Sequence, residues 1–262
     1  MSGSGKPVVA KRDPQALLAQ LRREGVLRTA REAVAGSRRP VLPTGVERLD
    51  RALGGGLPRG RIVELVGPLS SGRTAFLLQV LAAATLRGEQ TALIDPANTF
   101  DAAAAAAAAV ALERVLWVRP GRRLDAFRAA ELVLGAGGFG VVALDLTGLR
   151  IGSETRSRAL WPRLSLRAER SGTVLLALGE RREAGTFAAL VLGLRRAAPG
   201  WVGGAGAPLL LERLEVRIDI LRSKVGLSDG AESPRDGLSG SVAGPVRWAG
   251  GSPGRKHGRD AA

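Results

Sequence analysis

Apolar residues in this chain collect into short continuous runs separated by turn residues. Ile62 to Val66, Thr91 to Asp95, Val115-Leu116-Trp117-Val118, Val141 to Asp145 and Thr173 to Leu178 have strand length and lack polar alternation, the pattern of strands covered on both faces. Between them, Ala75 to Leu86, Asp101 to Leu112 and Leu124 to Leu134 read as helices. Strands alternating with helices predict an α/β fold: a mostly parallel, doubly wound sheet with helices on both faces. Leu214 to Ile220 alternates strictly, which predicts a half-exposed antiparallel strand at the outside of that sheet. At the N-terminus, Asp13 as N-cap and Pro14 at the first helical position open a short helix over 14–33. Its stripe of Leu17, Leu18 and Leu21 against Arg22 and Arg23 suits docking on its own domain or on a neighbouring protomer or partner. Residues 34–40 read as a linker, and from Ser228 onward Gly, Ser, Pro and Arg predict a disordered tail. The expected division is therefore a basic helix and linker over 1–40, a core domain over 41–227 and a tail over 228–262.

Composition narrows the function classes. The 262 residues are 45% hydrophobic, enough for one substantial core, yet no apolar run is long enough to predict a membrane span. Met1 to Gly5 carries no signal-peptide pattern, so a cytoplasmic protein without a membrane partner is the expectation. There is no cysteine, and the one histidine, His257, lies in the tail, which argues against disulfides, thiolate metal sites and zinc. The net charge of +15 is uneven. Residues 41–148 carry eleven basic and ten acidic groups, whereas 149–227 carry fourteen and seven and 1–40 carry nine and three. Such asymmetry suits a polyanion or acidic partner, with nucleic acid the commoner answer and a general arginine bias the other.

The chemistry-bearing stretch is Gly67-Pro68-Leu69-Ser70-Ser71-Gly72-Arg73-Thr74, placed between an apolar strand and an apolar helix. Glycines there let backbone N–H groups turn inward, and the following helix aims its positive end at an anion, as a phosphate-cradling loop requires. Spacing matches G-x-x-x-x-G-K-[ST] except that Arg73 replaces the lysine. Lysine is a compact point charge and arginine a wide planar fork, so the exchange predicts a weakened phosphate site. Asp145, at the end of an apolar strand, stands where such sheets place a Mg²⁺-organising aspartate.

From Thr44-Gly45 through Leu49-Asp50 and Ala52 to Glu64, the lead-in to that loop resembles the bacterial RecA family almost residue for residue. Gly67-Pro68, Ser70-Ser71-Gly72, Leu78-Gln79-Val80 and Leu93-Ile94-Asp95 continue the resemblance, and Val216 to Arg222 is similar to the strand following the family's second DNA-binding loop. The resemblance covers about 42–225 and implies a RecA-like P-loop fold. It also implies a nucleotide site at Gly67, Pro68, Ser70, Ser71, Gly72, Arg73, Thr74 and Asp145, with ATP and Mg²⁺ as weak or vestigial cofactors. Departures matter as much. The water-activating glutamate of the family falls on Ala97, alanines stand where an aromatic side chain stacks on adenine, and Glu180 occupies the position of a sensor glutamine. No catalytic residue is therefore assigned.

The two regions that resemble the family's DNA loops hold Arg163, Arg167, Arg170, Arg181, Arg182, Arg195 and Arg196, which are the DNA-binding candidates together with Trp201. Trp161 and Trp201 could stack on bases or anchor a core. The whole resembles the ImuA (SulA-related) class of RecA-like accessory factors in damage-induced mutagenesis. That resemblance implies an adaptor in translesion DNA synthesis and the SOS response with little or no ATP hydrolysis. Its implied partners are DNA, single-stranded in preference, RecA, an ImuB-type Y-family error-prone polymerase, and further copies of itself. The alternative is an ATP-dependent RecA-type recombinase.

Overall fold

Four of the five apolar runs become strands covered on both sides, whereas Val115–Val118 takes the edge of the sheet with Leu116 46% exposed, so the expectation of burial on both faces fails there. In a computed structural model the protein is described over residues 40–149, 159–202, 210–225 and 238–240; residues 198–202, 210–214 and 238–240 are described by their backbone alone. All of them lie in the compact unit that begins at Pro40. The N-terminal helix with Leu17, Leu18 and Leu21 lies outside the described residues.

A short ribbon of β1 (Val41–Leu42) and β2 (Leu57–Pro58) precedes the main sheet and encloses helix α1 (Glu47–Ala52). The main sheet contains β3 (Ile62–Val66), β4 (Gln90–Ile94), β5 (Val115–Val118), β6 (Phe139–Asp145), β7 (Val174–Gly179), β8 (Ala188–Val202), β9 (Leu210–Ser223) and β10 (Leu238–Gly240). Their order across the sheet is β10-β9-β8-β3-β7-β6-β4-β5. From β8 to β5 all neighbours are parallel, and β9 and β10 are antiparallel additions. The doubly wound expectation and the antiparallel extension both hold. Two parts differ. β8 is a strand that the apolar pattern does not single out, and the segment Val216 to Arg222 lies on β9, one strand beyond the strand that directly follows the loop after β7. Leu238–Gly240, within the stretch expected to be disordered, forms a strand because β9 offers it an open edge of backbone donors and acceptors.

Alternation along each strand sends side chains to two cores. On one face Val63, Leu65, Leu93, Val141, Ala143, Leu176 and Leu192 pack with Phe76, Leu77, Val80 and Leu81 of helix α2 (Arg73–Thr85). Helix α3 (Ala102–Ala107) adds only Ala105 to that core, and Asp101 caps it by accepting from the N–H groups of Ala103 and Ala104. On the other face Ile62, Val66, Ile94, Val142, Leu144 and Leu175 meet helices α4 (Arg123–Ala136) and α5 (Trp161–Ser171). Trp161, 2% exposed, packs edge-on against Phe127 with ring centroids 5.0 Å apart, so this tryptophan is a core anchor rather than a base-stacking ring. No described helix is long and apolar enough to cross a membrane.

The lead-in to the phosphate loop owes its pattern to structure. Thr44 donates to the Asp50 carboxylate from its N–H at 2.9 Å and from its hydroxyl at 2.8 Å, while the Val46 N–H donates to the Thr44 hydroxyl at 3.0 Å. Burial raises the Asp50 carboxyl above its ordinary value, against the hydrogen bonds from Thr44 and Gly45 and the charge of Arg87. This knot ties the turn at 44–46 to α1, and Gln79 of α2 donates to the Gly45 carbonyl of the same turn at 3.4 Å.

Truncating Phe127 to alanine should lower unfolding free energy by about 3–5 kcal/mol, because a large ring leaves a cavity beside Trp161. On the same helix Leu132 is 75% exposed, and Leu132→Ala should change stability by no more than about 0.5 kcal/mol. Urea titrations of both variants measure the contrast.

Candidate functional site at the carboxyl edge of the sheet

Loops leaving the C-terminal ends of parallel strands converge on one edge, the usual place for a ligand in an open α/β sheet. Here that edge gathers the ends of β3, β6 and β7. Val66 of β3 lies between Gly179 of β7 and Gly193 of β8, and the Gly67 N–H donates to the Gly179 carbonyl at 3.3 Å. Residues 67–72 then bend into α2, with Ser70 at φ 58° and Gly72 at φ 94°. Two glycines are required by space. A Cβ on Gly67 would stand 2.4 Å from the Leu194 carbonyl oxygen, and one on Gly72 would stand 2.3 Å from Val216 Cγ2. The loop backbone therefore lies directly against β8 and β9. Ser71 is buried with its hydroxyl beside Gly67, whereas Pro68, Leu69, Ser70 and Thr74 are exposed.

Arg73 does not extend from the loop toward solvent. It is 5% exposed, and its Nη1 donates to the Thr147 hydroxyl at 3.1 Å, just past the end of β6. The Thr147 N–H in turn donates to Asp145 Oδ1 at 2.9 Å. Burial pulls the guanidinium below its ordinary value, while the charges of Asp145 and Glu180 act in the opposite sense. The sequence names Arg73, Asp145 and Glu180 separately; folding brings them together, with Thr147 as the link that sequence reading missed. No spacing rule connects Arg73 to Thr147, which are joined only because β3 and β6 flank β7.

Ala97 is exposed in the turn after β4, beside Asn98 at φ 54°. The neighbouring carboxylate is committed elsewhere. Asp95, 1% exposed, accepts from the N–H groups of Thr99 at 3.1 Å and Phe100 at 2.9 Å and from Trp117 Nε1 at 3.3 Å. Trp117 itself lies edge-on to Phe100 and beneath the Arg119 guanidinium, 4.7 Å from the ring centroid. No group of three or more histidine, aspartate or glutamate side chains able to hold a metal occurs among the described residues.

The arginine candidates separate into distinct places. Arg163, Arg167 and Arg170 are not loop residues: they lie on α5, which returns along the sheet from β6 toward the start of β7. Arg163 pairs with Glu131 of α4 at 2.7 Å and Arg167 approaches the same carboxylate at 3.9 Å. Glu169 pairs with Arg61 at 2.9 Å, beside the start of β3, so Arg170 in the last turn sits toward the edge opposite the phosphate loop. The physical reason is the amphipathic pattern of α5, which buries Trp161, Leu164 and Ala168 and turns its arginines outward.

Arg181 and Arg182 are exposed and follow Glu180 directly at the carboxyl edge. The chain there crosses to β8 in only the stretch Glu180 to Phe187, and Glu64 pins it. Glu64, 2% exposed on β3, accepts from the N–H groups of Glu183 at 2.6 Å and Ala184 at 2.8 Å. Arg123 at the start of α4 pairs with Glu183 as well. Arg195 is 64% exposed but donates to Asp219 at 2.6 Å, and Arg217 donates to the same carboxylate at 3.1 Å. Burial raises the Asp219 carboxyl, yet these two arginines together outweigh it and hold the group below its usual value. Arg196 is exposed on β8, and Trp201 lies on the same strand with a side chain outside those described.

Residues 20–152 match the family model of the RecA N-terminal domain. The chain belongs to the RecA family. It is 42% identical over 106 residues to Protein RecA of Methylococcus capsulatus, covering 40% of this chain and 30% of that protein. It is 32% identical over 200 residues to Protein RecA of Bifidobacterium breve, covering 74% of this chain and 51% of that protein. The chain thus spans about half, or less, of the length of these RecA relatives. The crystal structure of the RadB recombinase shares the fold at a TM-score of 0.54 and 20% identity, over 70% of this chain and 90% of that one.

Replacing Gly72 by alanine should destabilise the RecA-family core by roughly 2–5 kcal/mol, since left-handed backbone strain adds to overpacking against Val216. Gly148 has φ 71° with open space around it, so Gly148→Ala should cost only about 1–2 kcal/mol. Comparing the two by thermal unfolding separates backbone strain from the contact with β9.

Proposed function

We propose that this RecA-family chain is an accessory protein of DNA repair that acts by binding, with little or no ATP hydrolysis. The observation that carries this reading is the state of the phosphate-loop edge. ATP with Mg²⁺ is the cofactor that family membership implies, and the residues present do not fit it as a hydrolytic site. The loop cation is buried against Thr147, Ala97 offers no base to orient water, and Glu180 adds a negative charge beside the loop. Loss of one group that stabilises transition-state charge typically costs about 3 kcal/mol, and here more than one is changed.

The binding surface is best supported at Arg181, Arg182 and Arg196, which are exposed at or beyond the carboxyl edge without a role in holding the helices. Phosphates of single-stranded DNA are the chemistry this surface suits. In this reading the protein acts in the cytoplasm, in damage-induced mutagenesis and translesion synthesis as the ImuA-class resemblance implies. It works beside RecA or an error-prone polymerase, with self-association through its RecA-like core. A second reading, an ATP-dependent recombinase, is favoured by the retained loop conformation at Ser70 and Gly72 and by Asp145 and Thr74 in their motif positions.

Phosphate release measured with and without single-stranded DNA decides between the two. The expected turnover is at least roughly 100-fold below that of a RecA control, the scale set by removing one stabilising group. Robust DNA-stimulated hydrolysis abolished by Arg73→Ala would establish the recombinase reading instead. For the DNA surface, exchanging Arg181 and Arg182 together for alanine should weaken single-strand binding and flatten its log–log salt slope by about 1.4, at roughly 0.7 for each phosphate no longer neutralised. Fluorescence anisotropy across a salt series reads this out, and an unaltered slope would move the DNA surface away from the β7–β8 crossing.

A further inference from the structure

A chain that does not hydrolyse ATP could still need bound Mg·ATP to hold its loop edge together, a requirement separate from the function proposed above. Three strand ends place two carboxylates near one loop: Asp145 at the end of β6 and Glu180 just past the end of β7, beside the Gly67 turn that follows β3. Carboxylates gathered at one edge repel one another, and a cation beside them relieves that repulsion. In a metal-dependent phosphate site that need is met by a divalent ion and by the loop lysine acting on the ligand. In this chain Arg73 is only 5% exposed, and its guanidinium is anchored through Thr147 to Asp145.

Arginine suits the role for a definite reason. Its planar fork reaches further than an ammonium, offers five donors and keeps its charge when buried, whereas a buried lysine loses its proton readily. The companion exchange has the right sign, since the position read as a sensor glutamine carries the acid Glu180. The two substitutions match: one makes the loop cation a fixed, branched donor, and the other adds an anion whose charge acts on it.

We infer that Arg73 is the resident cation of this edge, standing in for both nucleotide and divalent metal, so that the loop, Asp145 and Glu180 are held in their folded arrangement with no ligand bound. Arg73 is thus a positioning residue, and the folded core is independent of Mg²⁺ and ATP.

The test uses the full-length protein and reads unfolding temperature rather than catalysis. Wild type is melted with EDTA alone, with MgCl2, with ATP plus EDTA, and with ATP plus excess MgCl2. The expected result is one melting temperature in all four conditions, within about 1 °C, because a ligand that does not bind the native state cannot stabilise it. A rise of roughly 5 °C or more with Mg·ATP that disappears in EDTA, the size expected near 100-fold saturation of a site, would overturn the inference.

A second arm tests the pairing itself. Glu180→Gln should lower the melting temperature by roughly 1–3 °C when Arg73 is present, the upper scale for an exposed carboxylate acting on a nearby buried cation. In an Arg73→Gln background the same change should raise the temperature or leave it unmoved, because the charge of Glu180 then has no buried guanidinium to act on. An equal decrement in both backgrounds would show that the two side chains are not coupled and would also overturn the inference. Should Arg73→Gln fail to fold, the wild-type comparison of metal and nucleotide conditions decides alone. Either outcome leaves the hydrolysis measurement untouched, so the two readings stand or fall separately.

Discussion

The contact on which this edge depends is steric: the backbone of a glycine-bearing turn lies against a two-stranded antiparallel arm. Leu194 of β8 and Val216 of β9 occupy the space that side chains at positions 67 and 72 would need. That contact sets where the loop can go, and the loop sets where α2 begins. Helix α2 carries Phe76, Leu77, Val80 and Leu81 into the larger core. A change at the loop is therefore also a change at the seam between the parallel sheet and its antiparallel extension. Interiors packed this closely transmit strain rather than absorb it.

Electrostatics then determine what the edge can do. A guanidinium removed from water must find acceptors and opposite charge, or it costs several kcal/mol. Thr147, Asp145 and Glu180 provide them from two neighbouring strand ends. The same pattern of charge pairing runs through the molecule. Glu131 holds Arg163 and Arg167 between the two outer helices, Asp219 holds Arg195 and Arg217 on the hairpin, and Glu64 holds the backbone of the β7–β8 crossing. Among the described residues these arginines tie elements together while their side chains remain partly open to solvent.

Arg181, Arg182 and Arg196 stand apart because no described contact of theirs joins one helix or strand to another. Arg181 and Arg182 follow the end of β7 and Arg196 lies two residues past Leu194, whose carbonyl stands against Gly67, so exposed positive charge lies close to the turn at 67–72. A surface of this kind attracts polyanions at long range and is weakened by salt.

Much was legible in the sequence alone. Continuous apolar runs at 62–66, 91–95, 141–145 and 173–178 specified buried parallel strands, since a residue covered on both faces leaves no room for polar alternation. The equally apolar run at 115–118 forms the edge strand with Leu116 46% exposed, because no local pattern says which strand ends a sheet. Glycine spacing located the tight turn between β3 and α2, and strict alternation over 214–220 identified an outer antiparallel strand. Local chemistry fixes such features, so local pattern reveals them. What only the tertiary structure decided is which distant groups meet. Arg73 finds Thr147 because strand order puts β7 between β3 and β6, and no periodicity encodes that order. Arg163 and Arg167 read as loop cations until α5 is seen to carry them against Glu131. Trp161 became a core residue because a helix face turned it onto Phe127, and Asp95 became a loop clamp because β5 delivered Trp117 to it. Pair contacts of long sequence separation are set by the packing of whole elements, and that information exists only once the chain has folded.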